Sequence, residues 1–343
     1  MSRRRSEVRD SADLERLIGR ATGVPRVALG ERVQELWGGY GEIRRARLGG
    51  VDAPVIVKHV VPPSRAPSAS EALSHRRKLR SYEVECAFYG SYAPRCGASA
   101  RVPSALHAGV AGERMLLVLE DLDASGFAER RSRVADDELS ACLAWLAHFH
   151  ARFLGVPPAA LWKVGTYWHL ATRPDELEAL GDVPLGRAAA ALDQRLNGAR
   201  FRTLVHGDAK IQNFCFSTRA GAVAAVDFQY VGGGPGIKDV AYFLTSCLAP
   251  RDLLRDADHH LDAYFRELRA ALQARDVVHV SDAPVVLDVN DLEAEWRELY
   301  PIACADFYRF LLGWAGEGGA RDAYLERVTA EVLKALRSPT VAE

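Results

Sequence analysis

The sequence has no excess of charge of one sign, no long apolar run and no paired cysteine motif. Its 44 Lys and Arg residues nearly balance its 45 Asp and Glu residues, which gives a formal net charge of -1. Such a chain has no long-range field that would attract nucleic acid or an anionic membrane surface. No apolar run approaches the roughly 20 residues that a membrane span requires. We therefore expect neither a nucleic-acid partner nor a membrane partner.

The 6 cysteines are scattered along the chain without a C-x-x-C pair. This pattern implies neither a zinc site nor a disulfide framework, and it favours buried thiols in a reducing compartment. Arginines follow Met1, but the apolar segment of a secretory signal does not come after them. We expect a cytoplasmic protein, and the sequence leaves its oligomeric state open.

With 343 residues and 48% hydrophobic content, the chain can bury a large core as one two-lobed unit or as two close domains. After a leading helix, strand patterns alternate with one helical pattern up to residue 119. The stretch from Pro62 to Ser70 is typical of a loop close to the cleft. Helical patterns dominate the rest of the chain. The organisation is therefore α+β.

The segment between Phe201 and Phe228 contains the most informative spacing. Short apolar strands are predicted at 201–205, 213–217 and 222–228, with turn residues near Ala220 between the last two. Antiparallel pairing about that turn places Asn213 and Asp227 nearly opposite each other, with their Cβ atoms about 5 Å apart. Two oxygen-bearing side chains at this separation suit a hard divalent cation, and magnesium is the expected ion.

Asp208 lies in a His-Gly-Asp loop just before this hairpin and can face the same cleft. Phosphoryl transfer needs metal ions and a cation on the phosphates, together with a carboxylate that orients the attacking hydroxyl and accepts its proton. Asp208 is the candidate base. Alone, such a motif is weak, because an Asp before a strand is commonly a turn or capping residue.

The full set of residues resembles a known superfamily. The segments that carry the resemblance are His206 to Asn213 (HGDAKIQN), Val226 to Gln229 (VDFQ) and Asp239 to Leu244 (DVAYFL). They are similar to the catalytic loop and metal-binding motif of the aminoglycoside phosphotransferase and choline kinase superfamily, and most closely to its ecdysteroid kinase-like branch. Gln229 stands where protein kinases have the Gly of D-F-G, which favours the small-molecule branch.

The resemblance implies a protein-kinase-like fold with a small mixed N-terminal lobe and a larger, mainly helical C-terminal lobe. It also implies ATP and magnesium as cofactors. Asp208 becomes the catalytic base, Asn213 and Asp227 become the magnesium ligands, and Lys210 is placed to touch the transferred phosphate. The predicted activity is ATP-dependent transfer of the γ-phosphate to a hydroxyl of a small molecule.

Two residues of these motifs have structural interpretations. For His206 we favour a buried hydrogen bond that holds the loop. In the resembling family the position of Asp239 steadies the backbone of the catalytic loop, whereas the local pattern makes it the N-cap of the following helix. Both possibilities for Asp239 are structural.

A kinase fold also requires a phosphate-covering turn, and the glycines Gly38, Gly39 and Gly41 lie between strand-like segments. Missing side chains allow backbone N–H groups to approach phosphate at such a turn. A glycine cluster alone is more typical of an ordinary tight turn. It is not a Walker sequence, because no Gly-Lys-Ser or Gly-Lys-Thr follows.

Lys58 lies at the centre of a β-branched strand pattern at 55–61. Because lysine is almost never fully buried unless it is paired, Lys58 needs an anion or a solvent-facing edge. The resemblance makes it the phosphate-binding lysine. Its pairing carboxylate is expected on the helix that contains Glu83 and Glu85, and the helical spacing favours Glu85, which lies beside the packing face.

A buried strand at 115–119 precedes the polar segment that begins Glu120-Asp121-Leu122. This segment resembles the hinge between the lobes, whose backbone hydrogen-bonds the adenine base in kinase folds. The resulting division is an N-terminal nucleotide-binding lobe at 1–119, a hinge at 120–124, and a catalytic and acceptor-binding lobe at 125–343.

The identity of the acceptor is open, since related proteins use aminoglycosides, choline, sugars and steroids. The helical lobe has two aromatic-rich stretches that could form a wall for an acceptor, but we favour helix packing for most of their residues. Tyr167, Trp168, Trp296, Tyr300, Phe307, Phe310 and Trp314 are the aromatic residues concerned. We interpret His148 and His150, on a helix predicted at 136–154, as packing or surface residues.

Two other classes of function compete with a kinase. A non-catalytic nucleotide-binding pseudokinase or scaffold would keep the fold, but such proteins usually lack the base, a metal ligand or the lysine. A metal-dependent hydrolase built on His206 and Asp208 would need further ligands at close spacing, and the sequence offers none.

Overall fold

The described chain starts with a helix, continues into an antiparallel sheet and then becomes mostly helical. The computed structural model describes residues 2–63, 68, 71–218, 221–274, 288–316 and 321–337, and side chains from residue 11 onward. Residues 64–67, 69 and 70 of the predicted loop, and residues 219–220 of the predicted turn, lie outside these ranges.

The N-terminal part is a sheet with one helix on each face. The strands are β1 Val27–Glu35, β2 Gly41–Leu48, β3 Val55–Val60, β4 Ala105–Ala111 and β5 Arg114–Glu120, and the helices are α1 Ser2–Thr22 and α2 Ala72–Ser91. The strands pair antiparallel in the order β1-β2-β3-β5-β4.

Alternation along β3 gives the two faces of this sheet different functions. Val55 and Val57 pack in a cluster with Leu14 and Ile18 of α1, so α1 covers one face. Because successive side chains of a strand point to opposite faces, Lys58 lies on the face that α2 covers. The strand thus positions a lysine inside the protein and uses its β-branched neighbours as packing.

The C-terminal part consists of helices around two short strand pairs. β6 pairs antiparallel with β9, and β7 pairs antiparallel with β8. The helices are α3 Asp136–Arg152, α4 Pro174–Leu180, α5 Pro184–Asn197, α6 Ile237–Cys247, α7 Pro250–Gln273, α8 Val289–Ala315 and α9 Ala323–Arg337, and the strands are β6 Thr203–Val205, β7 Phe214–Phe216, β8 Val223–Ala225 and β9 Gly232–Gly234.

One hydrophobic core joins the two parts. Phe88 of α2 stacks on Phe228, which follows β8, with ring centroids 3.8 Å apart and an interplanar angle of 11°. Both rings are fully buried and belong to one cluster that runs from β5 into α3 and α8. The predicted α+β, kinase-like two-lobed fold is confirmed, while the lobe boundaries at 119 and 125 stay a prediction.

Polar contacts from α2 reinforce this junction. Arg77 donates to the backbone oxygen of Thr172 at 2.7 Å, and Arg80 donates to that of Leu161 at 3.1 Å. Ser81 donates to the side chain of Gln229 at 3.2 Å. The helix that supplies Glu85 is therefore anchored to the helical lobe along one side. In the described part of the chain, no helix has the length and apolar character needed to cross a bilayer.

Candidate active site

The loop that carries Asp208 is held by the carboxylate of Asp239 in the first turn of α6. Asp239 accepts hydrogen bonds from the backbone N–H of His206 at 2.6 Å and of Gly207 at 3.0 Å. His150 on α3 donates to the same carboxylate from Nε2 at 3.1 Å. The helix begins at Ile237, with Gly236 at its N-cap. The N-cap interpretation of Asp239 is wrong, and its contact with the loop backbone is confirmed.

Gly207 is required at its position in this loop. Its φ is +80°, in the left-handed region, and a Cβ there would come within 2.1 Å of the backbone oxygen of Tyr230. Any side chain would therefore displace the loop from the segment that follows β8.

His206 is buried and connects the loop to the hairpin. Its Nδ1 accepts from the backbone N–H of Asp208 at 3.2 Å, so its Nε2 carries the proton and donates to the backbone oxygen of Val226 at 3.0 Å. Burial lowers the pKa of His206 and maintains this neutral tautomer. The predicted structural role of His206, a buried hydrogen bond that holds the loop, is confirmed.

Asp208 presents its two carboxylate oxygens differently. Oδ2 accepts from Lys210 Nζ and from Asn213 Nδ2, each at 3.0 Å. Oδ1 is 3.3 Å from the hydroxyl of Tyr242, which donates to it. Because Oδ2 already has two donors, Oδ1 is the oxygen better placed to accept a proton from a substrate hydroxyl.

The environment of Asp208 favours its protonated form more than water does. Burial, and to a smaller extent the charge of Asp227, raise the pKa of Asp208, whereas Lys210 and Asn213 lower it; the net result is a pKa of about 6. A carboxylate with a pKa near neutrality is a better proton acceptor than an ordinary aspartate. Because both carboxylate oxygens accept hydrogen bonds, the carboxylate is held in one orientation and its pKa is also raised.

The predicted opposition of Asn213 and Asp227 is wrong by one residue. Asn213 ends a short turn before β7 and accepts from the N–H of Val226 at 3.0 Å, which makes Val226 its partner. Asp227 follows with φ +68°, a left-handed conformation that ends the strand. The two residues flank the open end of the hairpin, and neither lies within a strand as predicted.

Asn213 and Asp227 nonetheless fit a magnesium ion. Nδ2 of Asn213 donates both of its hydrogen atoms to Asp208, one to the backbone oxygen at 2.8 Å and one to Oδ2. The side-chain oxygen of Asn213 is therefore available to a metal ion. Oδ1 of Asp227 is buried without a hydrogen-bond partner. A buried carboxylate oxygen needs a partner, and a cation supplies one. The donor set, one carboxylate and one amide oxygen, is of the type magnesium uses beside phosphates.

Lys58 and Glu85 form the predicted ion pair, with Nζ 2.6 Å from Oε2. Both side chains are buried. Burial lowers the pKa of Lys58, but the carboxylates of Glu85 and Asp227 outweigh it and hold the pKa above its ordinary value. Glu83, the alternative, instead pairs with Arg80 near the surface. The choice of Glu85 over Glu83 is confirmed as a contact, and the phosphate-binding role stays a prediction.

The glycine-rich turn joins β1 to β2 and has three left-handed glycines. The φ values are +70° for Gly38, +74° for Gly39 and +126° for Gly41. Tyr40 in the same turn is buried, and its hydroxyl lies 2.5 Å from Nδ1 of His75 on α2. The turn is thus attached to the helix of the ion pair, and its phosphate contact stays a prediction.

The predicted hinge begins at the end of β5, and its acidic side chains form ion pairs. Glu120 binds Arg101, and Asp121 accepts from Arg45 at 2.8 Å. Burial opposes ionisation of Glu120, but hydrogen bonds from Arg101 and the Ser104 backbone lower its pKa to about 2. Leu122 is buried in a small cluster. These side chains fix the segment, and adenine recognition by its backbone stays a prediction.

Several residues around the site were not found from the sequence. Tyr242 lies on the same face of α6 as Asp239, three positions later, and this spacing was the available signal. His150 is buried and hydrogen-bonded to Asp239, which agrees with packing rather than with a surface position. Of the aromatic residues predicted from the sequence, Trp296 is fully buried, in agreement with helix packing, and Trp314 is exposed. Neither of these two tryptophans has the partial burial expected of a wall for an acceptor.

Comparison with known proteins agrees with this geometry. Residues 167–276 match the model of the ecdysteroid kinase-like family. The predicted resemblance is confirmed. The matched residues include the loop of Asp208, the hairpin and α6, and the match supports small-molecule kinase activity in general terms.

A comparison with solved structures also gives a match. An ethanolamine kinase from Plasmodium vivax is similar with a TM-score of 0.40 and 11% identity, over 91% of this chain and 82% of that one. No curated protein matches the sequence significantly.

Proposed function

We propose that this protein is an ATP-dependent phosphotransferase that transfers the γ-phosphate to a hydroxyl of a small molecule. Two neighbouring carboxylates support this proposal. Asp208 has two hydrogen-bond donors on Oδ2, which leaves Oδ1 for a substrate proton, and Asp227 has a buried Oδ1 without a hydrogen-bond partner. Lys58 is close enough to Asp227 for the carboxylate to raise its pKa. A base, a metal-binding oxygen and a phosphate-binding cation therefore converge.

The residues divide the reaction among them. Lys58, positioned by Glu85, binds the nucleotide phosphates, the turn at Gly38, Gly39 and Gly41 covers them, and the backbone at 120–122 holds adenine. Asn213 and Asp227 would hold magnesium, which when bound neutralises charge on the phosphates.

Asp208 acts on the acceptor. It orients the hydroxyl and takes its proton at Oδ1 as the new oxygen–phosphorus bond forms and the bond to the leaving ADP breaks. Lys210, 3.0 Å from Oδ2, lies where it can also contact the transferred phosphoryl group.

The experiment that tests this function measures ADP formation with magnesium and a panel of aminoglycosides, choline, sugars, nucleosides and sterols. Asp208→Ala is expected to lose turnover while it keeps binding of magnesium nucleotide, because the base acts on the acceptor. Asp227→Ala is expected to lose that binding as well. Asp137→Ala, an exposed change on α3, is the matched control.

Two results would overturn the proposal. Equal behaviour of the Asp208 and Asp227 variants would remove the separate roles of base and metal ligand. Binding of magnesium nucleotide without turnover of any member of this panel, or of a hydroxylated ring carboxylate added to it, would favour the non-catalytic alternative, in which the fold only binds nucleotide.

A further inference from the structure

Three tyrosines form a wall beside Asp208. Tyr242 donates to Asp208, and the ring of Tyr167 lies 5.6 Å from that of Tyr242 in an edge-on arrangement. Tyr230 lies 6.0 Å from Tyr167, also edge-on. Because neighbouring rings of the row are inclined by about 60°, they present edges and partial faces against which a ring-bearing compound can pack edge-on while its hydroxyl reaches the base.

Two arginines lie beyond these tyrosines. The guanidinium of Arg173 is 5.8 Å from the ring centre of Tyr167. The pKa of Tyr230 is raised by burial, lowered by Arg173 and Arg77, and raised by Asp208 and Asp227. Tyr230 is therefore close to the catalytic carboxylates and also to the arginine pair.

Of the two arginines, only Arg173 has a carboxylate partner among the described residues. Arg173 pairs with Glu176 at 3.0 Å, and no carboxylate of the described residues lies within ion-pair distance of Arg77. Burial lowers the pKa of Arg77, and Arg173 lowers it further, because the two positive charges repel each other. Arg77 and Arg173 against Glu176 give the surroundings of the two guanidinium groups a net positive charge.

Hydrogen-bonding groups also remain open here. Nε of Arg77 is buried without a partner, although its other nitrogen atoms reach Thr172 and Ser74. A buried charged donor of this kind is costly unless a ligand satisfies it. Arginine is suited to carboxylates, because its planar group matches their two oxygens.

Resting on the proposed function, we propose that the acceptor is a ring-bearing hydroxyl compound that carries a carboxylate group. The carboxylate binds Arg77 and Arg173, the ring packs on Tyr167 and Tyr230, and the hydroxyl faces Asp208. A cationic amine at this position would meet two guanidinium groups and be repelled. The arginine pair thus selects against aminoglycosides, choline and similar acceptors.

Three probes of one shape test the charge preference. They are para-hydroxymethylbenzoate, its neutral amide, and para-aminomethylbenzyl alcohol, which is cationic. Each is titrated calorimetrically into the full chain saturated with magnesium and a non-hydrolysable ATP analogue. The benzoate is expected to bind at least tenfold more tightly than the amide, and the amine more weakly than either. Equal affinities, preference for the amine, or no binding of the benzoate would overturn the inference.

Variants then assign the preference to residues. Arg77→Gln and Arg173→Gln are each expected to reduce the ratio of benzoate to amide affinity by at least fivefold, with nucleotide binding retained. Arg76→Gln, an exposed change on the same helix, is expected to leave the ratio unchanged. Unchanged ratios in both test variants count against the arginine pair.

Failure of the two proposals can be distinguished. If the wild-type chain binds magnesium nucleotide but shows no charge preference, only the acceptor inference fails. If it binds no magnesium nucleotide, the phosphotransferase proposal fails and the acceptor inference fails with it.

Discussion

The carboxylate of Asp239 lies 2.6 Å from the backbone nitrogen of His206 and acts only as an acceptor toward the catalytic loop. Gly207 and His150 donate to the same carboxylate. Tyr264 in turn contacts Nδ1 of His150 at 2.8 Å, so the network extends from the loop to α7. The position of Asp208 therefore depends on a fully buried anion outside the loop.

Asp239→Asn is expected to lower both stability and turnover. An amide replaces one acceptor oxygen with an N–H₂ group that faces N–H donors, and each buried group left unsatisfied costs about 1–3 kcal/mol. We expect a loss of roughly 2 kcal/mol in the free energy of unfolding and at least a tenfold lower kcat. Urea denaturation and ADP formation measure the two effects.

Asp193→Asn is the matched control for this change. Asp193 accepts from His169 at 3.1 Å, its side chain is 28% exposed, and among the described residues it has no hydrogen bond to the loop of Asp208. A similar loss in both variants would show that the effect of Asp239 is not specific to the catalytic loop.

Lys58 and Glu85 are expected to show strong coupling in a double-mutant cycle. Lys58→Met leaves a buried carboxylate unpaired, which typically costs about 3–5 kcal/mol. Lys58→Met combined with Glu85→Gln is expected to recover at least half of that loss, since no buried charge remains. Chemical denaturation of the four proteins gives the coupling energy.

Glu83→Gln provides the control on the same helix. Its pair with Arg80 is about two-fifths exposed on both sides. Exposed pairs contribute roughly 0–1 kcal/mol, so this variant is expected to be nearly as stable as the wild type. Additive effects at Lys58 and Glu85 would contradict a tightly coupled pair.

Sequence patterns predicted the parts of the site that depend on regular periodicity. The two-residue repeat of β3 separates Lys58 from Val57, and the helical repeat of α2 separates Glu85 from Glu83, so this ion pair could be predicted. The position of Asp227 could not, because Phe214 pairs with Ala225, which puts Val226 opposite Asn213, and Asp227 follows outside the strand with a left-handed backbone. A strand pattern contains no signal for such a conformation.

The proposed acceptor-binding residues could not be predicted for another reason. Arg77 lies on α2, Arg173 precedes α4, and Tyr230 follows the hairpin, so they are brought together only by tertiary packing. No local period relates residues so far apart in sequence. Tyr242 is the exception, since its spacing from Asp239 places both on one helical face.

Gly39, in the turn between β1 and β2, and Gly41, the first residue of β2, are expected to respond differently to alanine. Gly41 has φ +126°, and a Cβ there would come within 2.0 Å of the backbone oxygen of His59. At Gly39, where φ is +74°, a Cβ meets nothing within 4 Å. Gly41→Ala combines strain with a backbone clash, whereas Gly39→Ala has only left-handed strain of about 1 kcal/mol.

Thermal unfolding and nucleotide titration separate the two variants. Gly41→Ala is expected to lower the free energy of unfolding by at least about 2 kcal/mol and to weaken ATP binding. Gly39→Ala is expected to lose about half as much stability. Equal stability of the two variants would show that the turn relaxes around the added methyl group at Gly41.

Asp208 is expected to make the metal-free protein less stable as the pH rises from about 4 to about 6. Its folded pKa of about 6 lies above the ordinary value of 3.8, chiefly because of burial. In that window the folded state binds more protons than the unfolded state, so stability falls with rising pH, by up to about 3 kcal/mol. Asp208→Asn should remove this dependence and unfold at higher urea concentration than the wild type at pH 7 in a chelating buffer.

Lys210→Met is expected to move the acidic limb of kcat/KM to higher pH. The base must be ionised, so activity falls as the pH decreases through the pKa of Asp208. After burial, Lys210 has the largest effect on this pKa and lowers it, which means that its removal raises the pKa and requires a higher pH for the same activity. Lys163→Met, an exposed change, should leave the limb in place. A pH profile of ADP formation, measured at saturating magnesium, gives the limb, and a shift to lower pH in Lys210→Met would contradict Asp208 as the titrating base.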